Sequence, residues 1–151
     1  MRTLLTAADR QSVIDRIGSL TPTDKHRWGK MDVGGMLCHL TDSFRLALDD
    51  TEVSMATGPL RRTVVKWVAL KSPTKWPKGV PTRPEMEQGK GGTPPTDFDQ
   101  DRTRLLEAMD LFCANPPTVD CPHPIFGVLS QEEWMRWGWL HTAHHLRQFG
   151  R

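Results

Sequence analysis

Nowhere in the 151 residues is there an apolar run of the roughly eighteen residues that a membrane-spanning helix requires, so no transmembrane helix is expected. Cysteine is scarce. Cys38, Cys113 and Cys121 are odd in number and form no CxxC, which fits unpaired thiols in a reducing compartment. Charge of one sign is lacking too: 20 Lys and Arg against 18 Asp and Glu leave a net +2, too little to argue by itself for a nucleic-acid partner. The first twenty residues carry Asp9, Arg10, Asp15 and Arg16, so no secretory or transit signal is read there, and the cytoplasm is the expected location. What is present is an ordinary globular composition, 37% apolar and 25% charged. One domain over residues 1–151 is expected, large enough to bury about two-thirds of the surface its unfolded chain exposes.

Apolar residues recur at helical spacing in five places. Thr6 to Asp9 reads as an N-cap with an acidic third position, and Val13, Ile14 and Ile17 give a first helix ending near Gly18. Met36, Leu40, Phe44 and Ala47 give a second, from about Met31 to Asp49. Gly34 and Gly35 open it at a cost of about 1 kcal/mol each against alanine, for which close packing of another backbone is a reason. Leu60 to Lys71 reads as a third helix. From Ser72 to Pro95 six prolines and four glycines predict irregular loop, disordered or functional. Thr96 as a cap, with Asp97 and Asp99, starts a fourth helix whose stripe runs from Phe98 to Cys113. Ser130 and Glu133 form a capping box that launches the last helix. The expected fold is therefore all-α: an up-down four-helix bundle with an extra helical segment and a long Pro/Gly-rich loop.

Three of the six histidines, His141, His144 and His145, crowd into five positions of the final helix. At about 100° and 1.5 Å per residue, His141 and His145 stack on one face about 6 Å apart. Trp134, Trp137 and Leu140 put that face on or beside the core-facing stripe. Buried imidazoles so close together repel when protonated and need separate acceptors when neutral; a shared cation removes the difficulty. A third ligand must come from elsewhere. His39 lies beside the stripe of the second helix, whereas His26 follows the turn-like Thr21 to Asp24 and His123 sits between prolines, both in loops. A three-histidine metal site of His39, His141 and His145 follows. Cys38, about 100° from His39, reads as a small buried hydrophobe.

Three neighbours are candidates for support of the ligands, with plainer readings beside them. Gln148 shares the face of His141 and His145, to bond a ligand ring or to cap the helix. Asp42, three residues beyond His39, is placed to accept its second ring N–H or to stand on the surface. His144 is a proton shuttle or an inter-helix hydrogen bonder. The loop from Thr118 to Leu129, with His123 and Phe126, either braces the site from below or lines its pocket. Between Leu60 and Lys90, Arg61, Arg62, Lys66, Lys71, Lys75, Lys78, Arg83 and Lys90 face only Glu85 and Glu87, a solvated surface or a patch for an anionic partner.

The segments Met36 to Leu40 and His141 to Gln148 resemble the DinB superfamily of metal-binding four-helix bundles. His123–Pro124–Ile125–Phe126–Gly127, Leu129, Glu133–Trp134 and His144 to Gly150 resemble the ending of its DUF1569 branch. The resemblance covers nearly the whole chain. It implies that His39, His141 and His145 fall on the superfamily's three metal ligands, and not His144, since the ligand spacing there is four. It also implies a range of activities: transfer of low-molecular-weight thiols such as bacillithiol or mycothiol, and metal-dependent hydrolysis.

Three imidazoles leave a coordination position open, as in catalytic sites. Such an ion, with zinc or nickel expected first among the divalent transition metals, acidifies bound water or a bound thiol. Hydrolysis and thiol transfer both follow from such a site, and an enzyme transferring a small thiol to an electrophile is placed first because the basic Leu60 to Lys90 segment could pair with the carboxylates of such a cofactor. Alternatives are a metal-dependent hydrolase and a metal-bound binding or stress-response module without turnover. A small-molecule substrate is expected, no nucleic acid, no membrane span, and a homodimer is compatible although no heptad seam marks it.

Overall fold

A computed structural model describes residues 1–48, 58, 60–72, 75–80, 82, 84–118 and 121–151. Asp49, Arg83 and the side chains of Arg61 and Arg62, named above, lie outside the described residues. The chain is all-helical: α1 (Ala7–Gly18), α2 (Val33–Leu48), a π-helical turn (Arg61–Val65) running into α3 (Lys66–Lys71), a 3-10 turn (Pro84–Met86), α4 (Phe98–Ala114) and α5 (Gln131–Gln148). Among the described residues there is no strand, only an isolated antiparallel bridge between His123 and Gly127.

The apolar stripes explain the packing. α2 lies along α4, and α5 meets α1, α2 and α3. Met36, Leu40 and Phe44 of α2, Leu105, Met109 and Phe112 of α4, and Trp134, Trp137 and Leu140 of α5 form one buried cluster with Val13 and Ile17 of α1. Leu4, ahead of α1, is fully buried with them, and its N–H bonds the Met135 carbonyl at 3.2 Å. Gly138 lets the elements approach. A Cβ there would stand 2.8 Å from Leu4 Cδ1 and 3.2 to 3.3 Å from the rings of Phe112 and Phe44.

The helix starts match the sequence to different degrees. Ser130 and Glu133 close a full capping box on α5. At α4 the cap is Asp97, not Thr96: the Asp97 carboxylate accepts from Gln100 N at 3.0 Å. Thr96 stands one residue too early, so its N–H and hydroxyl instead bind the buried Asp101 carboxylate at 2.8 and 3.1 Å. Thr6 occupies the N-cap of α1, but its hydroxyl donates to Asp9 at 2.9 Å and caps no N–H.

The predicted third helix is two pieces, and among its described side chains only Leu70 is buried. It is pinned to α5 by Lys66–Glu133 at 2.7 Å and by Arg136 Nε donating to the Leu70 carbonyl at 3.2 Å. Val64, Trp67 and Val68 face solvent. The Pro/Gly-rich loop is irregular around the 3-10 turn, but it is tied down. Its Gly91 and Gly92 fold back so tightly that a Cβ on either would meet the 84–87 backbone at 2.8 to 3.0 Å.

Candidate metal centre

α2 and α5 bring His39, His141 and His145 together, with ligand atoms within 4.8 Å of one another, a group able to hold a metal ion. Their second nitrogens fix how they face. His39 Nδ1 lies 3.2 Å from the Met86 carbonyl, which only accepts, so Nδ1 carries the proton and Nε2 is bare. Gln148 Nε2 donates to the Trp28 carbonyl at 2.8 Å, which turns its Oε1 towards His145 Nδ1 at 3.0 Å; that nitrogen donates, and His145 Nε2 is bare as well. Both bare nitrogens point at His141 Nε2, at 3.3 and 3.2 Å. A neutral His141 has at most one proton there, so at least one contact sets lone pair against lone pair. A cation shared by the three Nε2 atoms turns that repulsion into coordination, and an all-imidazole donor set suits zinc, nickel, copper or iron.

The surroundings keep the rings neutral. His39 and His145 are only 6% and 9% exposed. Burial holds His39 below the usual histidine value, the Met86 carbonyl and Asp42 offsetting part of the shift. Burial, then the neighbouring His145 and His39, push His141 well below it. His145 is lowered likewise by burial and by His39, against a smaller opposing effect of Gln148. Neutral imidazole is the form that binds a metal, so the site is prepared at neutral pH.

The candidate supports fare unequally. Gln148 meets His145 directly and clamps it to the segment before α2. Asp42 does not bond His39: the ring's second nitrogen goes to the Met86 carbonyl, and the Asp42 carboxylate accepts the N–H and hydroxyl of Thr93 at 2.9 and 2.7 Å. His144 makes no inter-helix hydrogen bond through Nδ1, which is buried and without a partner; burial lowers its pKa to about 4. It packs among Trp28, Trp76 and His145 at centroid distances of 6.1, 6.0 and 5.3 Å. Cys38 is buried, its thiol pushed up to about 12 by burial first. His26 is exposed and edge-on to Phe149.

The long loop closes over the centre from the α2 side. Met86 meets His39, Gln88 Nε2 donates to Asp32 at 2.9 Å, and Thr93 binds Asp42. Gly35 makes room for this strap: a Cβ would stand 2.1 Å from Gln88 Oε1. The neighbours of Gly35 and Gly34 are thus the side chains of Gln88 and Pro95, not another backbone. From below, the His123 loop braces the tryptophans. Its ring stacks on Phe126 at 4.7 Å and lies 5.1 Å from Trp137, which in turn stacks on His141 at 5.1 Å.

Sequence reasoning missed Met86 and Trp28, which act through backbone carbonyls that any residue carries. Trp76 had a signal, a large aromatic in a polar loop, but nothing told which way it pointed. Its ring lies 6.1 Å from His141. The chain belongs to the DUF1569 family: the model of that family, described as a protein of unknown function, matches residues 1–151. No curated protein and no solved structure matches the chain.

Proposed function

We propose that this DUF1569 protein is a metal-dependent enzyme on a DinB-like four-helix bundle, with His39, His141 and His145 as ligands to one divalent transition metal, zinc or nickel. Its reaction is transfer of a low-molecular-weight thiol to an electrophilic small molecule. The observation that carries the reading is the convergence of three Nε2 atoms whose rings are fixed from behind by Met86 O and Gln148 Oε1. The bound ion supplies Lewis acidity, enough to deprotonate a thiol at neutral pH without a protein base.

The same ion would acidify bound water, and thiol transfer is placed first because the basic stretch from Leu60 to Lys90 suits the carboxylates of a small thiol. Metal-dependent hydrolases of the zincin kind set a glutamate beside the ion as general base. Asp42, the acid three residues beyond His39, is engaged by Thr93. The chain's own residues orient the ligands, cover them with the 84–93 strap and exclude water with Trp76 and Trp137. The test is turnover of cysteine with 1-chloro-2,4-dinitrobenzene by zinc- or nickel-loaded protein. Rates above the uncatalysed background, abolished by a chelator and by His141→Ala, are expected. Metal-loaded protein with no rate above background would leave a non-catalytic metal-binding module.

A further inference from the structure

Beside the imidazoles stands a wall that metal binding does not require. The Pro/Gly-rich loop delivers Trp76, fixed by its Nε1 donating to the Ala69 carbonyl at 2.8 Å. The indole is tilted 34° to His141 and 43° to His144, at 6.1 and 6.0 Å. From the segment before α2 comes Trp28, 6.1 Å from His144. Its carbonyl is held by Gln148, the residue that orients His145, and Gly29, at φ 87°, turns the chain where a Cβ would stand 2.4 Å from Gln148 Nε2. Over Trp28 sits Lys78, its Nζ 4.6 Å from the ring centroid, exposed and in no ion pair among the described residues. Both indoles pack on His144, whose Nδ1 is buried with no hydrogen-bond partner among the described residues.

Each feature calls for the same visitor. Partly exposed indoles offer flat apolar surface, the exposed Lys78 ammonium offers an anion site, and an unmet ring nitrogen is satisfied by a polar group. We propose that Trp28, Trp76 and Lys78 form a subsite for a planar acid: an aromatic or conjugated body lies against the indoles, one carboxylate meets Lys78, and the opposite polar end faces the three imidazoles. This subsite belongs to the metal centre proposed above and rests on that reading.

The test uses the full chain loaded with cobalt(II), whose visible spectrum reports both occupancy and ligand binding, titrated with acetate, phenylacetate and 1,4-phenylenediacetate. Phenylacetate is expected to bind about tenfold more tightly than acetate through its ring contact. The dianion gains a further factor of about three from Lys78. Trp76→Ala and Trp28→Ala each shrink the first advantage, and Lys78→Gln removes only the second, all three retaining the cobalt spectrum. Equal affinities for acetate and phenylacetate in cobalt-loaded protein, or an advantage unchanged in both tryptophan variants, would overturn the subsite while leaving the metal centre standing. Wild type that takes up no cobalt would overturn the metal reading and the subsite with it.

Discussion

His123 links the fold to pH in a way that one substitution isolates. The ring is 5% exposed, and its Nδ1 accepts from the N–H groups of Ile125 and Phe126 at 3.1 and 3.3 Å. Protonating Nδ1 would aim a third N–H at two donors inside an aromatic cage, and burial lowers the pKa to about 3. The unfolded chain titrates near the ordinary histidine value of 6.5. Between these values the unfolded state holds the extra proton, so stability rises with pH across the window and is lost as pH falls from 6.5 towards 3. At 1.36 kcal/mol per pH unit, a gap of about 3.5 units gives a ceiling of about 5 kcal/mol from this group, with about 2–3 kcal/mol gone by pH 4.5. His123→Asn keeps an acceptor for the two N–H groups but cannot titrate. Losing the ring against Phe126, Trp134 and Trp137 should cost about 2–4 kcal/mol at neutral pH. Urea unfolding of chelator-treated protein between pH 7.5 and 4.5 should therefore give a variant that starts less stable and falls less steeply, the two curves converging in acid. Parallel curves would refute the linkage.

Other expectations follow from single contacts. Gln148→Ala frees His145 Nδ1 and should weaken metal binding about 10- to 100-fold in competition with a chromogenic chelator, while Asp42→Ala leaves it unchanged. Gly35→Ala drives a Cβ into Gln88; a loss of about 1–3 kcal/mol by urea unfolding is expected, largely recovered in the Gly35→Ala/Gln88→Ala double variant. Leu70→Ala should cost about 2–5 kcal/mol, because this side chain is fully buried in the core, whereas the exposed Trp67→Ala should stay within about 0.5 kcal/mol. Comparable losses for both would mean that α3 presents its other face.

Much of this arrangement is written in local patterns. The i, i+4 spacing of His141 and His145 beside Trp137, and the single histidine flanking the Met36, Leu40, Phe44 stripe, sufficed to name the residues that converge, because helix periodicity fixes which side chains share a face. The capping box at Ser130 was equally plain. What stayed hidden depends on tertiary detail. The partner of His39 is a backbone carbonyl, which has no residue identity, and Asp42 lost the ring to it because Thr93 offered two donors at once. The α4 cap moved by one residue because Thr96 and Asp97 are both good caps and only the placement of Asp101 decides between them. Helical spacing over Leu60 to Lys71 could not foresee that Val64, Trp67 and Val68 face water, since an apolar stripe does not announce whether anything covers it.

The claim on which the rest stands is that three imidazoles hold one ion, and elemental analysis by inductively coupled plasma mass spectrometry tests it most directly. Purified untagged wild type should carry close to one equivalent of a transition metal, and so should His26→Ala, whose ring is exposed and edge-on to Phe149. His39→Ala, His141→Ala and His145→Ala should each lose it while retaining helical circular dichroism. Full metal content in all three, or none in the wild type even after reconstitution with zinc and nickel, would contradict the account.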